Sequence, residues 1–373
     1  MLITFVLGSV HAFSVLLVPL EELLQLARSE ISLLYSFALV SITLAVTIGY
    51  RIYGLVPAWW LVLLVGLAAA AGLGISAMAR DWWSMFFGYS LAFGFANGIG
   101  YGYCLQLAGR VMPVRRGMAM GAVTAAYAVG SIVFARVFAW RIGADSVASA
   151  LGFVAVAILA SAVLAAIVMR AAGASYGPDA VAGDSRRRPL GRPMLLRFWF
   201  AYMSGVFAGL MAIGHAAGIA LARGADAGLA AWAAVIVGVG SALGGFAAGW
   251  MVDRWGVFRF LVGLPLLSAA ALLAIGAAPG AAATLVLLAV VGFGYGSIIA
   301  VYPVAISICF AERGAEAYGR VFIAWGFAGL LAPWCAGLVY DSSGGYGPAM
   351  LIAALVALVS GVSAALFRLG KVG

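Results

Sequence analysis

The sequence predicts an all-α integral membrane protein of twelve transmembrane helices, arranged as two pseudo-symmetric six-helix bundles. Three observations lead there. Hydrophobic residues make up 66% of the chain and charged residues 9%, with a mean hydropathy of +1.14, a composition that would leave a water-soluble domain with exposed apolar surface. Uncharged runs of the length a helical span needs, about 20 residues for about 30 Å of hydrocarbon, recur from one end to the other. The chain also aligns with itself: at an offset of 198, Phe95 meets Phe293, Gly98 meets Gly296, Gly121 meets Gly319, and Tyr127 meets Trp325.

The expected spans are 2–20, 32–50, 57–78, 84–107, 117–138 and 147–170, then 197–221, 228–250, 259–278, 281–305, 319–340 and 347–367. The first lacks a basic leader region and leads straight into a second span, so it is expected to be helix 1 and is not read as a secretory signal. Charged residues punctuate the runs that follow: Arg28 before the second, Arg51 after it, Arg80 after the third, and Arg110 to Arg116 between the fourth and fifth. Arg141 closes the fifth and Arg170 the sixth, and the same alternation continues through Arg223, Arg254, Arg259, Arg313 and Arg368. Strands are excluded because barrel strands alternate apolar and polar residues, whereas these runs are apolar all round. Gly94, Gly98 and Gly102, like Gly292 with Gly296, recur every four residues and suit close helix packing. Cys104 and Cys335 fall in spans and Cys309 just beyond the end of one, and all three read as small apolar fillers.

Placement of the basic residues sets orientation. With a cytoplasmic N-terminus, sixteen of the 21 Lys and Arg residues fall on inner segments and five on outer ones, which predicts that both termini are cytoplasmic. The formal charge of +9 is then a topology signal, and nucleic acid is excluded as a partner. The longest polar stretch, RAAGASYGPDAVAGDSRRRPLGRP, reads as a flexible cytoplasmic linker near anionic lipid. The expected domains are an N-terminal bundle, 1–171, a linker, 172–196, and a C-terminal bundle, 197–373.

Local motifs add a resemblance. GWMVDRWGVFR, Gly249 to Arg259, resembles the loop between helices 8 and 9 of the major facilitator superfamily, where Gly249 would begin a tight turn and Asp253 with Arg254 would tie helix ends on the cytoplasmic side. Its counterpart GYRIYG, Gly49 to Gly54, is shorter and lacks the acid. The stretches Gly100 to Ser131, which holds Arg115 and Arg116, Ala208 to Ala220, Ala317 to Asp341 and Pro19 to Leu39 are similar to the oxalate:formate antiporter branch, related to monocarboxylate transporters. The resemblance implies transport by alternating access around a site between the halves. It also implies a helix 8 arginine and a helix 11 lysine in oxalate-binding members; this chain has Gly245 and Trp325 there. A buried dianion without cationic partners is strongly disfavoured, so an oxalate-like substrate is not expected.

Well inside the spans, the ionisable groups reduce to His11 and His215, with Arg136 near an outer helix end. An unperturbed imidazole titrates at about pH 6.5, and intramembrane ionisable groups tend to face cavities. His215 is therefore a candidate substrate or proton site facing the central cavity; the plainer reading is a neutral ring bonded to a helix carbonyl. His11 carries the same two readings. Tyr127 and Trp325, at matching places in helices 5 and 11, are expected to wall the cavity, with Asn97 and Tyr302 as further polar candidates. Met211 and His215 share a helical face and could bind Cu(I), an alternative reading as a metal importer. No nucleophile with a base, zinc spacing or phosphate loop is visible, so neither an enzyme nor a cofactor is expected.

These readings converge on a secondary transporter of the inner membrane, a monomer in the lipid bilayer, carrying a small organic anion, a monocarboxylate foremost, by proton symport or anion exchange. A non-transporting sensor or assembly factor is the remaining alternative.

Overall fold

A computed structural model of the chain describes residues 1–49, 51–111, 116–176, 192–278, 280–310 and 314–369. The first helix, α1, comes in pieces: an α-helix over Leu2–Leu7, a 3-10 segment over Gly8–Ala12, and a second α-helix over Ser14–Leu24. The pieces meet at 56°, so the expected uniform span 2–20 is a bent one. Next come α2 (Arg28–Gly49), α3 (Ala58–Ala77) and α4, which runs as Trp82–Met85, a π segment over Phe86–Phe93, and Gly94–Val111. The first half closes with α5 (Arg116–Ala144) and α6 (Val147–Ala171). The second half holds α7 (Arg192–Leu221), α8 (Ala227–Trp255), α9 (Val257–Gly276), α10 (Ala281–Phe310), α11 (Gly314–Ser343) and α12 (Gly347–Leu369). Helix α7 begins at Arg192, inside the stretch expected as linker.

Among the described residues, ten of these helices are long and apolar enough to cross a membrane singly, and the bent α1 makes an eleventh. Helix α4, divided by its π segment, is not among them, so ten or eleven of the twelve expected spans are found. No strand occurs among the described residues.

The two halves repeat one packing scheme. In the first, α4 lies on α2 and α3 on α6; in the second, α10 lies on α8 and α9 on α12. The glycine rows explain the first contact of each pair. Gly94 and Gly98 face the Ala38 and Ile42 backbone, while Gly292 and Gly296 face the Val237 and Ser241 backbone. The halves then meet through a second symmetric set, α2 against α11 and α5 against α8, with α1 touching α7 between them.

Three of the helices that start at the face opposite the linker are capped by their own N-cap side chains. Asp81 and Ser84 form a reciprocal box at α4, the Ser149 N–H donates to Ser146 Oγ at α6 (3.2 Å), and the Leu229 N–H donates to Asp226 Oδ1 at α8 (2.7 Å). Helix α2 starts at the same face, but its cap comes from the other half of the molecule.

Candidate functional site

The break in α1 builds the site. Gly8 weakens the helix there, and it also lets α1 touch α5: a Cβ on Gly8 would collide with the Tyr127 carbonyl oxygen, and one on Gly130 with that of Phe5. No side chain fits at either position without pushing the helices apart. A 3-10 break also disturbs the i to i−4 ladder, and in a bilayer the carbonyls it frees need other donors. They have them. Asn97 Nδ2 donates to the Leu7 carbonyl (2.7 Å), and the Tyr89 hydroxyl donates to that of Val10 (3.2 Å). Both donors come from α4, Tyr89 from its π segment.

His11 lies within the break and is only partly buried. Its Nδ1 is hydrogen-bonded to the Tyr35 hydroxyl at 2.8 Å, and Phe13 stacks on the Tyr35 ring at 5.0 Å. Three rings meet the imidazole edge-on: Tyr127 at 5.6 Å, Tyr35 at 6.4 Å and Trp325 at 6.4 Å. Two of these belong to the first half and Trp325 to the second, so the ring sits where the halves meet. Tyr127 and Trp325 are each held by a polar contact. The Tyr127 hydroxyl donates to Asn97 Oδ1 (2.9 Å), and Trp325 Nε1 donates to the Tyr295 hydroxyl (2.9 Å). Phe322 stacks on Trp325 at 5.7 Å, and Tyr101 lies 4.8 Å from Tyr127 with its hydroxyl bonded to Thr124 (3.2 Å). Asn97 thus bridges the helix break and the tyrosine wall with one amide.

The second histidine, His215, occupies a different place altogether. It is fully buried in α7, and both ring nitrogens are engaged. Nε2 donates to the Pro333 carbonyl (2.8 Å), which can only accept, and lies 3.3 Å from Ser32 Oγ. That leaves Nδ1 to accept from the Tyr346 hydroxyl (2.9 Å), whose oxygen in turn accepts from Arg28 Nη1 (3.2 Å). The expectation of a ring facing open cavity therefore differs from what is found: His215 is a fixed joint.

Around that joint the halves are tied together at the face opposite the linker. The Asp341 carboxylate of α11 accepts from the backbone N–H groups of Arg28 (3.1 Å) and Ser29 (2.9 Å), capping α2. Arg28 is paired with Glu21 of α1 and stacks 3.8 Å over the Tyr340 ring. The other inter-half pair is closed at the same face, where Arg136 of α5 lies 4.6 Å over the Trp232 ring of α8.

The remaining expected residues scatter. Met211 is buried one turn from His215, and neither imidazole nitrogen has a lone pair free for a metal beside it. Tyr302 packs on Tyr202 at 4.6 Å, inside the second bundle. Arg254 is exposed at the end of α8, while Arg115, the side chains of Arg116 and Asp253, and the surroundings of Gly249 lie outside what is described. Among the described residues, no cluster of three His, Cys, Asp or Glu side chains could hold a metal. Sequence reading passes over Tyr35, Glu21, Arg28, Asp341 and Tyr346 as functional positions. Four of the five lie in two stretches that the resemblance singles out, Pro19 to Leu39 and Ala317 to Asp341, but nothing in either reveals that they meet.

Comparison with known proteins agrees with this architecture. Residues 194–372 match the family model of the Major Facilitator Superfamily. The fold is shared by a mutant form of the nucleoside transporter NupG, with a TM-score of 0.77 at 14% identity, covering 98% of both chains. It is shared by a bacterial homologue of the human lysosomal transporter Spinster in an inward-facing, occupied conformation, with a TM-score of 0.74 at 14% identity, covering 98% of this chain and 94% of that one. The inward-open xylose transporter XylE from E. coli gives 0.76 at 13% identity, covering 97% and 93%. No curated protein matches the sequence.

Proposed function

We propose that this multi-pass membrane protein is a secondary transporter of the major facilitator superfamily, carrying a small organic anion by alternating access, with a monocarboxylate as the first choice. The observation that carries the reading is His11: a half-buried imidazole at a helix break, between the two halves, with one nitrogen committed to Tyr35 and aromatic rings on three sides. Protonated, it offers a carboxylate a single positive charge; neutral, it releases it. The aromatic wall suits a substrate with a hydrocarbon or ring portion. Proton symport follows, because the carboxylate and the proton carried on the ring are released together with no net charge moved, and anion exchange is the alternative coupling.

The substrate role expected of His215 passes in this reading to His11, and His215 becomes part of the closed gate. With both termini cytoplasmic in an inner membrane, the sealed face is the outer one, and the captured state opens inward. The chain acts as a monomer of two six-helix domains. A Cu(I) importer using Met211 and His215 has less support, since both nitrogens of that ring are engaged.

The test is uptake into proteoliposomes across a panel of carboxylates, neutral solutes and metals, with and without an inward proton gradient. Gradient-driven uptake of a monocarboxylate that disappears in His11→Gln is expected. Uptake of a neutral solute alone, or full gradient-driven uptake by His11→Gln, would overturn the reading; no flux of any solute by folded protein would favour a sensor.

A further inference from the structure

Away from the central site, a cavity of about 490 Å³ opens at the linker face between the 54–57 turn, the start of α3 and the end of α6. Its back wall is firm: Tyr176 packs edge-on against Tyr53 and is tilted against Tyr103, both at 5.6 Å. Its cation is Arg170, exposed in the last turn of α6 and poised 5.1 Å over the Trp59 ring. Among the described residues no carboxylate pairs with it. The first turn of α3, which has no side-chain cap, opens into the same space.

The surroundings are those of a bilayer edge. Leu55, at the lip, is 74% exposed, and Trp60 lies exposed beside Trp59, the level at which tryptophan settles in membrane proteins. Directly along the two helices from the cavity, Leu64 of α3 and Leu164 and Ile167 of α6 turn outward. A ligand filling this site would meet one positive charge and hydrogen-bond donors at the top and an apolar track below.

We infer that this cavity binds the phosphate headgroup of an anionic phospholipid, whose acyl chains follow the exposed apolar track of α3 and α6. The charge matches, the site lies at helix ends beside an exposed tryptophan, and the expected orientation turns this face to the leaflet that carries anionic lipid. Soluble phosphate shares the headgroup chemistry but would make no use of the apolar track.

The inference stands apart from the transport reading, so its test uses binding alone. Full-length protein in detergent is titrated with dioctanoyl phosphatidylglycerol, dioctanoyl phosphatidylcholine or inorganic phosphate, and occupancy is read by native mass spectrometry and thermal unfolding. Phosphatidylglycerol is expected to saturate one site and to bind more tightly than phosphatidylcholine. Arg170→Gln, an exposed position that will not disturb folding, is expected to weaken it about fivefold, the loss of one interfacial cation. Arg192→Gln, which removes an exposed arginine at the start of α7, is expected to leave it unchanged. Equal binding of the two lipids, or an Arg170→Gln variant that binds like the parent, would overturn the site. Inorganic phosphate competing as well as phosphatidylglycerol would overturn the lipid in favour of a soluble anion.

Discussion

His11 and His215 sit in the first helices of the two bundles, and they differ in what their ring nitrogens touch. His215 lies in an unbroken α7, where the tight packing of a continuous helix leaves its ring enclosed and both nitrogens bonded. His11 lies where α1 is broken, and the break turns its ring toward the seam between the halves. A histidine within a span is thus not a site by residue type alone; the local backbone decides whether it is a joint or a chemical group. The largest effect should separate them. His11→Gln is expected to lower proton-driven uptake about 100-fold, the order lost with a positioned proton-transfer group. Its folding stability should fall by only about 1 kcal/mol, one hydrogen bond to Tyr35. Uptake by the parent protein should decline as the inward proton gradient is collapsed, and that dependence should flatten in the variant.

His215→Ala reverses the pattern. It takes the ring's bond from the Pro333 carbonyl and leaves the Tyr346 hydroxyl, still accepting from Arg28, without an acceptor for its proton, at a cost of about 1–3 kcal/mol of stability, while the response to a proton gradient persists. Thermal unfolding and gradient-driven flux, measured on the same preparation, would show it; loss of the gradient response with normal stability would return the coupling role to His215. Asp341→Ala acts on the same face with less effect on folding. Removing the cap of α2 costs about 1 kcal/mol, which shifts a two-state gate roughly fivefold toward opening at that face. Spin labels on the facing ends of α2 and α11 would report the wider population.

The fold was legible because burial in lipid demands long apolar runs, and the runs can be counted. The glycine rows Gly94–Gly98 and Gly292–Gly296, visible as a repeat, are the contacts that set α4 on α2 and α10 on α8. Tyr127 and Trp325, matched by the same offset, both lie edge-on to His11, a meeting that the offset itself does not give. The break in α1 was not legible. Gly8 and Ser9 are ordinary residues in an apolar helix, and the break depends on donors far away in sequence, Tyr89 and Asn97. The closed face escaped for the same reason: Arg28 looks like a topology charge until Asp341, at the far end of the chain, is found capping the helix that Arg28 begins.

The smallest expected difference lies within the aromatic wall. Trp325→Phe removes the donor to Tyr295 but keeps a flat ring stacked on Phe322, so about 1 kcal/mol is lost, and KM should rise about fivefold with kcat little changed. Tyr127→Phe removes one hydrogen bond too, yet from Asn97, whose other end holds the Leu7 carbonyl at the break. Loosening that amide reaches His11 through the backbone of α1, so Tyr127→Phe should lower kcat as well as raise KM. Equal effects of the two substitutions would mean that Asn97 holds the break without help from the tyrosine, and that the two halves contribute to the wall as equals.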